Sequence, residues 1–229
     1  MKIKILKTIL ASLILATSCF ANAGLMLVTS LNQQDVTPVS GNQSYTGQLG
    51  DDFTVNQDIW INSVGAFDHL GNGTFGELYW ELFDVSSGKL LYSTTIAATG
   101  TRSIGSGIES NYAWLDLDQS IKLDANTVYS VAAYGFDTTD LNFNTYFTGN
   151  PLDVGYNTIG LTAPATGSAR WSGAFGTLPT TAGNALSTQP YHFGAANFKY
   201  TTEVPEPTTL AIFALGMMGL TARRFKKQA

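Results

Sequence analysis

Between Gly24 and Thr202 the residues suited to chemistry are few: three glutamates, two histidines and one glycine-rich hexapeptide. Glu77 and Glu81 fall on the same side of an alternating run. As a strand, that spacing separates them by about 13 Å at roughly 3.3 Å per residue. The two carboxyls of a glycosidase stand about 5–9.5 Å apart, so this pair does not form one, and Glu109 is remote in sequence. His69 sits in a turn cluster and His192 at the head of the closing apolar run. Neither belongs to a nucleophile-elbow sequence, and a Ser-His-Asp set would need its partners supplied by the fold. Gly71-Asn-Gly-Thr-Phe-Gly76 spells G-x-G-x-x-G. A dinucleotide site needs a helix next, with its N-terminus on the pyrophosphate. A strand pattern follows instead, so these glycines read as turn residues. With no H-E-x-x-H and a single cysteine, Cys19, the common zinc sets are not present either. The expectation is a protein that is not an enzyme and needs no cofactor.

Two binding chemistries fit better. Asp68, Asn72 and Asp84 flank one expected hairpin and offer the hard oxygens that a structural calcium takes; Asx turns account for the same residues equally well. Trp60, Trp80, Trp114 and Trp171, with ten tyrosines, offer flat faces for sugar rings. Trp80 shares a face with Leu78 and Leu82 and belongs to the core. Trp114 lies opposite Ala113, Leu115 and Leu117, and Trp171 lies in a loop-rich part, so these two are the candidate ligand contacts.

Short runs of β-branched and aromatic residues between turn clusters must position these groups, and they predict an all-β body. Strands are expected at Leu25–Leu31, at Asp52–Val55 and Ile59–Phe67 (two strands, or one with a break), and at Glu77–Asp84, Lys89–Ala98, Tyr112–Leu117, Thr127–Phe136, Arg170–Phe175 and Tyr191–Tyr200. On Glu77–Asp84, Leu78, Trp80 and Leu82 face one way, and Glu77, Tyr79, Glu81 and Phe83 the other. Residues 33–50 and most of 137–190 read as loops. About ten short strands at this spacing suggest a two-sheet sandwich, jelly-roll-like, over residues 24–202.

The two ends differ from this body. Lys2, Lys4 and Lys7, the apolar Ile9–Ala16 and the small-x-small Ala21-Asn22-Ala23 read as a helical signal peptide over 1–23, cleaved before Gly24. Cys19 leaves with it. At the other end Val204-Pro205-Glu206-Pro207 precedes an apolar run, 208–222, and a basic tail, 223–227, that opens on Arg223 and Arg224. As a transmembrane helix the run spans about 22 Å, short of the ~30 Å hydrocarbon core. Its basic residues snorkel and stay cytoplasmic, which leaves the body outside. The ends also hold seven of the 12 Lys and Arg but only Glu203 and Glu206 of the 17 acids. The body keeps Lys89, Arg102, Lys122, Arg170 and Lys199 and is strongly acidic. Such a surface repels nucleic acid.

The three-part end resembles the PEP-CTERM sorting signal of Gram-negative bacteria over 203–229. The resemblance implies two processing enzymes as partners, a signal peptidase and an exosortase, and a passage through the inner membrane that is transient. Residues 204–207 and 223–224 are then substrate, not catalyst. It further implies the cell surface or an exopolysaccharide matrix as destination, with a structural, adhesive or polysaccharide-binding role; hydrolysis of matrix polysaccharide is the alternative. Asp52-Phe-Thr-Val55, Val64-Gly-Ala-Phe-Asp68, Glu81-Leu-Phe-Asp84 and Leu123–Tyr129 also resemble a β-sandwich domain of unknown function found in that group.

Overall fold

Ile59–Phe67 shows why the body folds as it does. The β-branched Ile59, Ile61 and Val64 favour the extended chain, and Asp58 and Asp68 close it off. The computed structural model describes residues 24–31, 39–97, 107–144, 154–165, 168–172, 174–181 and 192–202. Ala21, Ala23 and the rest of the expected signal peptide, and the whole tail from 203, lie outside the described residues. Among the described residues the regular elements are thirteen strands and two short 3-10 turns, His69–Gly71 and Gly107–Asn111. None is a helix long and apolar enough to cross a membrane.

The strands are β1 (Leu25–Met26), β2 (Val28–Leu31), β3 (Gln48–Val55), β4 (Ile59–Phe67), β5 (Leu78–Asp84), β6 (Lys89–Ile96), β7 (Tyr112–Leu123), β8 (Thr127–Tyr134), β9 (Val154–Tyr156), β10 (Leu161–Thr162), β11 (Ala169–Ser172), β12 (Thr180–Thr181) and β13 (Ala196–Thr201). One sheet has the order β1-β13-β4-β7. The other runs β12-β11-β3-β8-β5-β6, with β10 also on β3, and β2 and β9 make a small ribbon. The chain crosses between the two large sheets after β3, β4, β6 and β7, and again to reach β13.

The core lies between these sheets. Phe53 of β3 meets Phe198 of β13 at 5.2 Å between ring centres. The indole N–H of Trp80, on β5, donates to the Asn197 carbonyl at 2.9 Å. Leu78, Trp80 and Leu82 are fully buried, as their alternation predicts. Each such side chain contributes about 1.5–3 kcal/mol by leaving water.

The sandwich has two ends. Trp60 pairs with Thr201 and Lys122 at one, and Phe67 pairs with Tyr112 at the other. Seven steps along β4 separate them, roughly 24 Å at ~3.4 Å per residue. Leu25 pairs with Tyr200, so Gly24 and Thr201 leave the sandwich side by side at the first end. The loop from Asp68 to Glu77 and the start of β5 lie at the second.

Five expectations need correction. Leu25–Leu31 is two strands, because the Asn197 side chain intervenes: its Oδ1 accepts from Val28 N at 2.9 Å and its Nδ2 donates to Val28 O at 3.1 Å. The chain there leaves β13 and turns to pair with β9. β3 begins at Gln48, four residues early, since pairing with β8 and β11 overrides a polar, glycine-containing start. β7 runs on to Leu123. Its register on β4 jumps from Ser63↔Asp116 to Ile61↔Ile121, so 117–120 bulge out. The loop-like 137–190 contains β9, β10 and β12 besides the expected Arg170–Phe175 strand, which is observed as Ala169–Ser172; β9 is held on β2, β10 and β11 on β3, and β12 on β11. The last strand begins at Ala196, not Tyr191.

Candidate functional site

The outer face of the larger sheet carries the densest group of polar and aromatic side chains. Register fixes its rows. Glu81 of β5 lies beside Ala132 of β8, which lies beside Gly50 of β3, which lies beside Arg170 of β11. Tyr79 and Tyr134 form the next pair. Ala132 and Gly50 are small, so long side chains on either side reach across them. Gln48 thus donates its amide to Glu81 Oε2 from two strands away. Glu81 Oε1 accepts from Gly176 N at 2.8 Å. Arg170 forks onto Asp52, with Nη2 to Oδ2 at 2.8 Å, and its Nη1 donates to Pro179 O at 2.9 Å. Glu81 is fully buried and Arg170 nearly so. Burial pushes the Glu81 carboxyl above its ordinary range, and the bonds from Gln48 and Gly176 offset part of that.

Those two polar anchors fasten segment 174–179 across the sheet, and Phe175 rides on it. The Tyr79 and Tyr134 rings stack 4.5 Å apart and 10° from parallel. Phe175 leans on both, at 6.0 and 5.3 Å, with 55 % of its surface exposed. The Tyr79 hydroxyl donates to Glu77 Oε2 at 2.9 Å. The Tyr134 hydroxyl is pushed up to about 12, by burial first and then by the charge of Glu81. The result is an aromatic surface held at a fixed height by a tyrosine pair behind it. Alternation alone puts Tyr79 on the face opposite Trp80, as observed, but cross-strand register, which joins it to Tyr134, is invisible in one sequence. Phe175 closes the expected strand Arg170–Phe175, whereas the observed strand stops at Ser172 and Phe175 lies in a turn.

The expected ligand contacts fall elsewhere. Trp114 is 3 % exposed. Lys199 sits over its ring at 4.6 Å, its indole N–H donates to Glu109 O at 3.0 Å, and Gly65 leaves room for it. Both faces of β7 are covered at this point, so the alternation did not separate inside from outside. Trp171 is half-buried and meets Phe193 edge-on at 6.4 Å.

The three expected calcium ligands do not converge either. Asp68 and Asn72 belong to the loop before β5, and Asp84 ends β5 six residues beyond Leu78. Asp84 closes the hairpin turn instead, accepting from the Ser86 hydroxyl at 2.7 Å and Ser87 N at 2.8 Å. Those bonds hold its carboxyl below the usual range. Among the described residues no three His, Cys, Asp or Glu side chains gather as they would around a metal ion.

The glycine-rich hexapeptide is filled from within. Leu70, Gly71 and Gly73 all have positive φ, and such a turn points its N–H groups inward as an anion nest. Asp68 accepts from Gly73 N at 2.9 Å. Asp140 accepts from Phe75 N at 2.7 Å and Gly76 N at 2.9 Å. Two carboxylates occupy the place a phosphate would take.

Neither histidine makes a triad in these contacts. His69 Nδ1 accepts from Gly41 N at 2.9 Å. His192 Nδ1 lies 3.3 Å from Asp51 Oδ1, on the core side of β3. Asp51 Oδ2 accepts from Tyr156 OH and Phe193 N, both at 3.1 Å. Burial raises the Asp51 carboxyl and raises the Tyr156 hydroxyl well above its ordinary value. This group clamps β9 and the approach to β13 onto β3.

The body is thus a β-rich domain, two sheets with loops at each end. The particular address is in the tail: residues 203–227 match the PEP-CTERM protein-sorting motif. The motif implies an exported protein, targeted to an exosortase and delivered to the cell surface or beyond. No curated protein matches the chain.

Proposed function

We propose that this protein is a non-enzymatic, jelly-roll-like sandwich that an exosortase delivers to the surface or extracellular matrix, where it holds matrix polysaccharide through Phe175, Tyr79 and Tyr134. The observation that carries the reading is the exposed Phe175 ring, backed by a stacked tyrosine pair and fixed by a segment bonded to Glu81 and Arg170. An exposed aromatic contributes little to folding, whereas one held rigid loses little entropy on binding a sugar ring. Position agrees. The tyrosine pair lies towards the end of the sandwich away from Thr201, where the tail leaves, so a tethered body presents the platform outward. The strand order β1-β13-β4-β7 against β3-β8-β5-β6 supports the jelly-roll reading.

The competing hydrolase needs a free acid and a free base. Glu81 is engaged by Gln48 and Gly176, and Asp52 by Arg170. The deciding experiment measures binding of the exported protein to the polysaccharide of its own matrix. Binding without sugar release, weakened at least tenfold by Phe175→Ala at an unchanged melting midpoint, is the expected result. Release of reducing sugar, or binding that Phe175→Ala and Tyr134→Ala leave intact, refutes it.

A further inference from the structure

Three buried oxygens, one on the glycine-rich loop and two on residues 140–142, have no hydrogen-bond partner: Thr74 Oγ1, Asp140 Oδ1 and Asn142 Oδ1. Their residues are 4 %, 2 % and 0 % exposed. The first two belong to segments in direct contact, since Asp140 Oδ2 receives the N–H groups of Phe75 and Gly76, the residues next to Thr74. Asn142 follows two residues after Asp140. Its Nδ2 donates to Gln43 O at 2.7 Å, which leaves its oxygen as the uncommitted end. A buried acceptor left unpaired is destabilising, and a carboxylate more so. Three such atoms on two touching segments are costly unless something joins them.

No cation of the protein does so in the described contacts. Lys122 pairs with Asp58 and Asp124, Arg170 with Asp52, and Lys199 with Glu109. All three unpaired atoms are oxygens, of carboxylate, hydroxyl and amide type. That is the ligand chemistry of a hard divalent cation.

We infer that the 74–76 loop and residues 140–142 form a calcium site, with Asp140, Thr74 and Asn142 as its side-chain ligands. Backbone carbonyls and water complete the shell. A single carboxylate makes the site weak, in the ~10⁻⁴–10⁻³ M range typical of extracellular modules. Such a site fills after export, where it locks the loop that leads into β5. It is distinct from Asp84, which closes its own turn.

The test is thermal unfolding of the exported protein in EGTA and in millimolar Ca²⁺ or Mg²⁺. Calcium should raise the midpoint by several degrees, with Mg²⁺ giving a smaller rise. Asp140→Asn should abolish the rise. Thr74→Val gives a crossed signature: in EGTA it is at least as stable as the wild type, because an unpaired hydroxyl is gone, and in calcium it is less stable. Should Asp140→Asn fail to fold, Thr74→Val decides alone. No calcium-dependent rise in the wild type, or an equal rise in the variants, overturns the site; a buried water in its place would give that result.

Discussion

Gln48 and Glu81 share a hydrogen bond although all of β8 runs between their strands. The bond exists because Ala132 and Gly50 leave the outer face low enough for two long side chains to meet above it. It ties the start of β3 to the middle of β5 and prepares the carboxylate that receives Gly176.

The first prediction concerns pH. Burial raises the Glu81 carboxyl in the folded protein. A raised acid holds its proton more tightly folded than unfolded. Its contribution is therefore complete below the ordinary Glu range, near pH ~4.3, and is lost as pH rises through the folded value. Glu81→Gln should remove this loss. Urea unfolding at a series of pH values should show the variant gaining on the wild type as pH rises, and equal slopes for the two would contradict it.

Arg170 and Asp52 form a largely buried fork. Arg170→Ala should cost about 3–5 kcal/mol, because it strands a buried carboxylate. Combining Arg170→Met with Asp52→Leu should recover most of that loss. Chemical denaturation of the single and double variants measures both.

Asn197 is fully buried and satisfies Val28 N, Val28 O and Phe198 N. Asn197→Ala should cost about 2–3 kcal/mol, since it leaves buried backbone groups unpaired. Amide exchange at Val28 should accelerate more than at Phe53. Uniform acceleration would show that the side chain does not act as a local staple.

Replacement of Pro205-Glu206-Pro207 by alanines should leave a membrane-retained form of full tail length. The mass of the secreted wild type locates both cleavage points. A variant processed and released like the wild type would remove this motif from the sorting step.

Legibility in the sequence followed local chemistry. Ile59–Phe67 is legible with its observed bounds because aspartates flank a run that holds Ile59, Ile61 and Val64. Leu78, Trp80 and Leu82 were read as core because alternation reports one covered face. The same logic failed for Glu81 and Phe83, also fully buried: one element over Glu81 is segment 174–179, about ninety residues away in sequence. β10 and β12 have two residues each and no alternation to detect, whereas β11 falls largely within the expected Arg170–Phe175. β10 takes its strand state from β3 and β12 takes its own from β11, not from propensity. The sorting motif was the most legible feature, since a linear signal needs no fold to be recognised.

β13 lies between β1 and β4, with Tyr200 beside Leu25 on one side and Ile61 on the other. The chain passes from this strand directly into the tail. A force applied at residue 203 therefore pulls β13 along its own length and loads its flanking hydrogen bonds together, in shear. An edge strand pulled sideways would open one bond at a time. The strand order that closes the sandwich also makes its last strand a mechanical clamp.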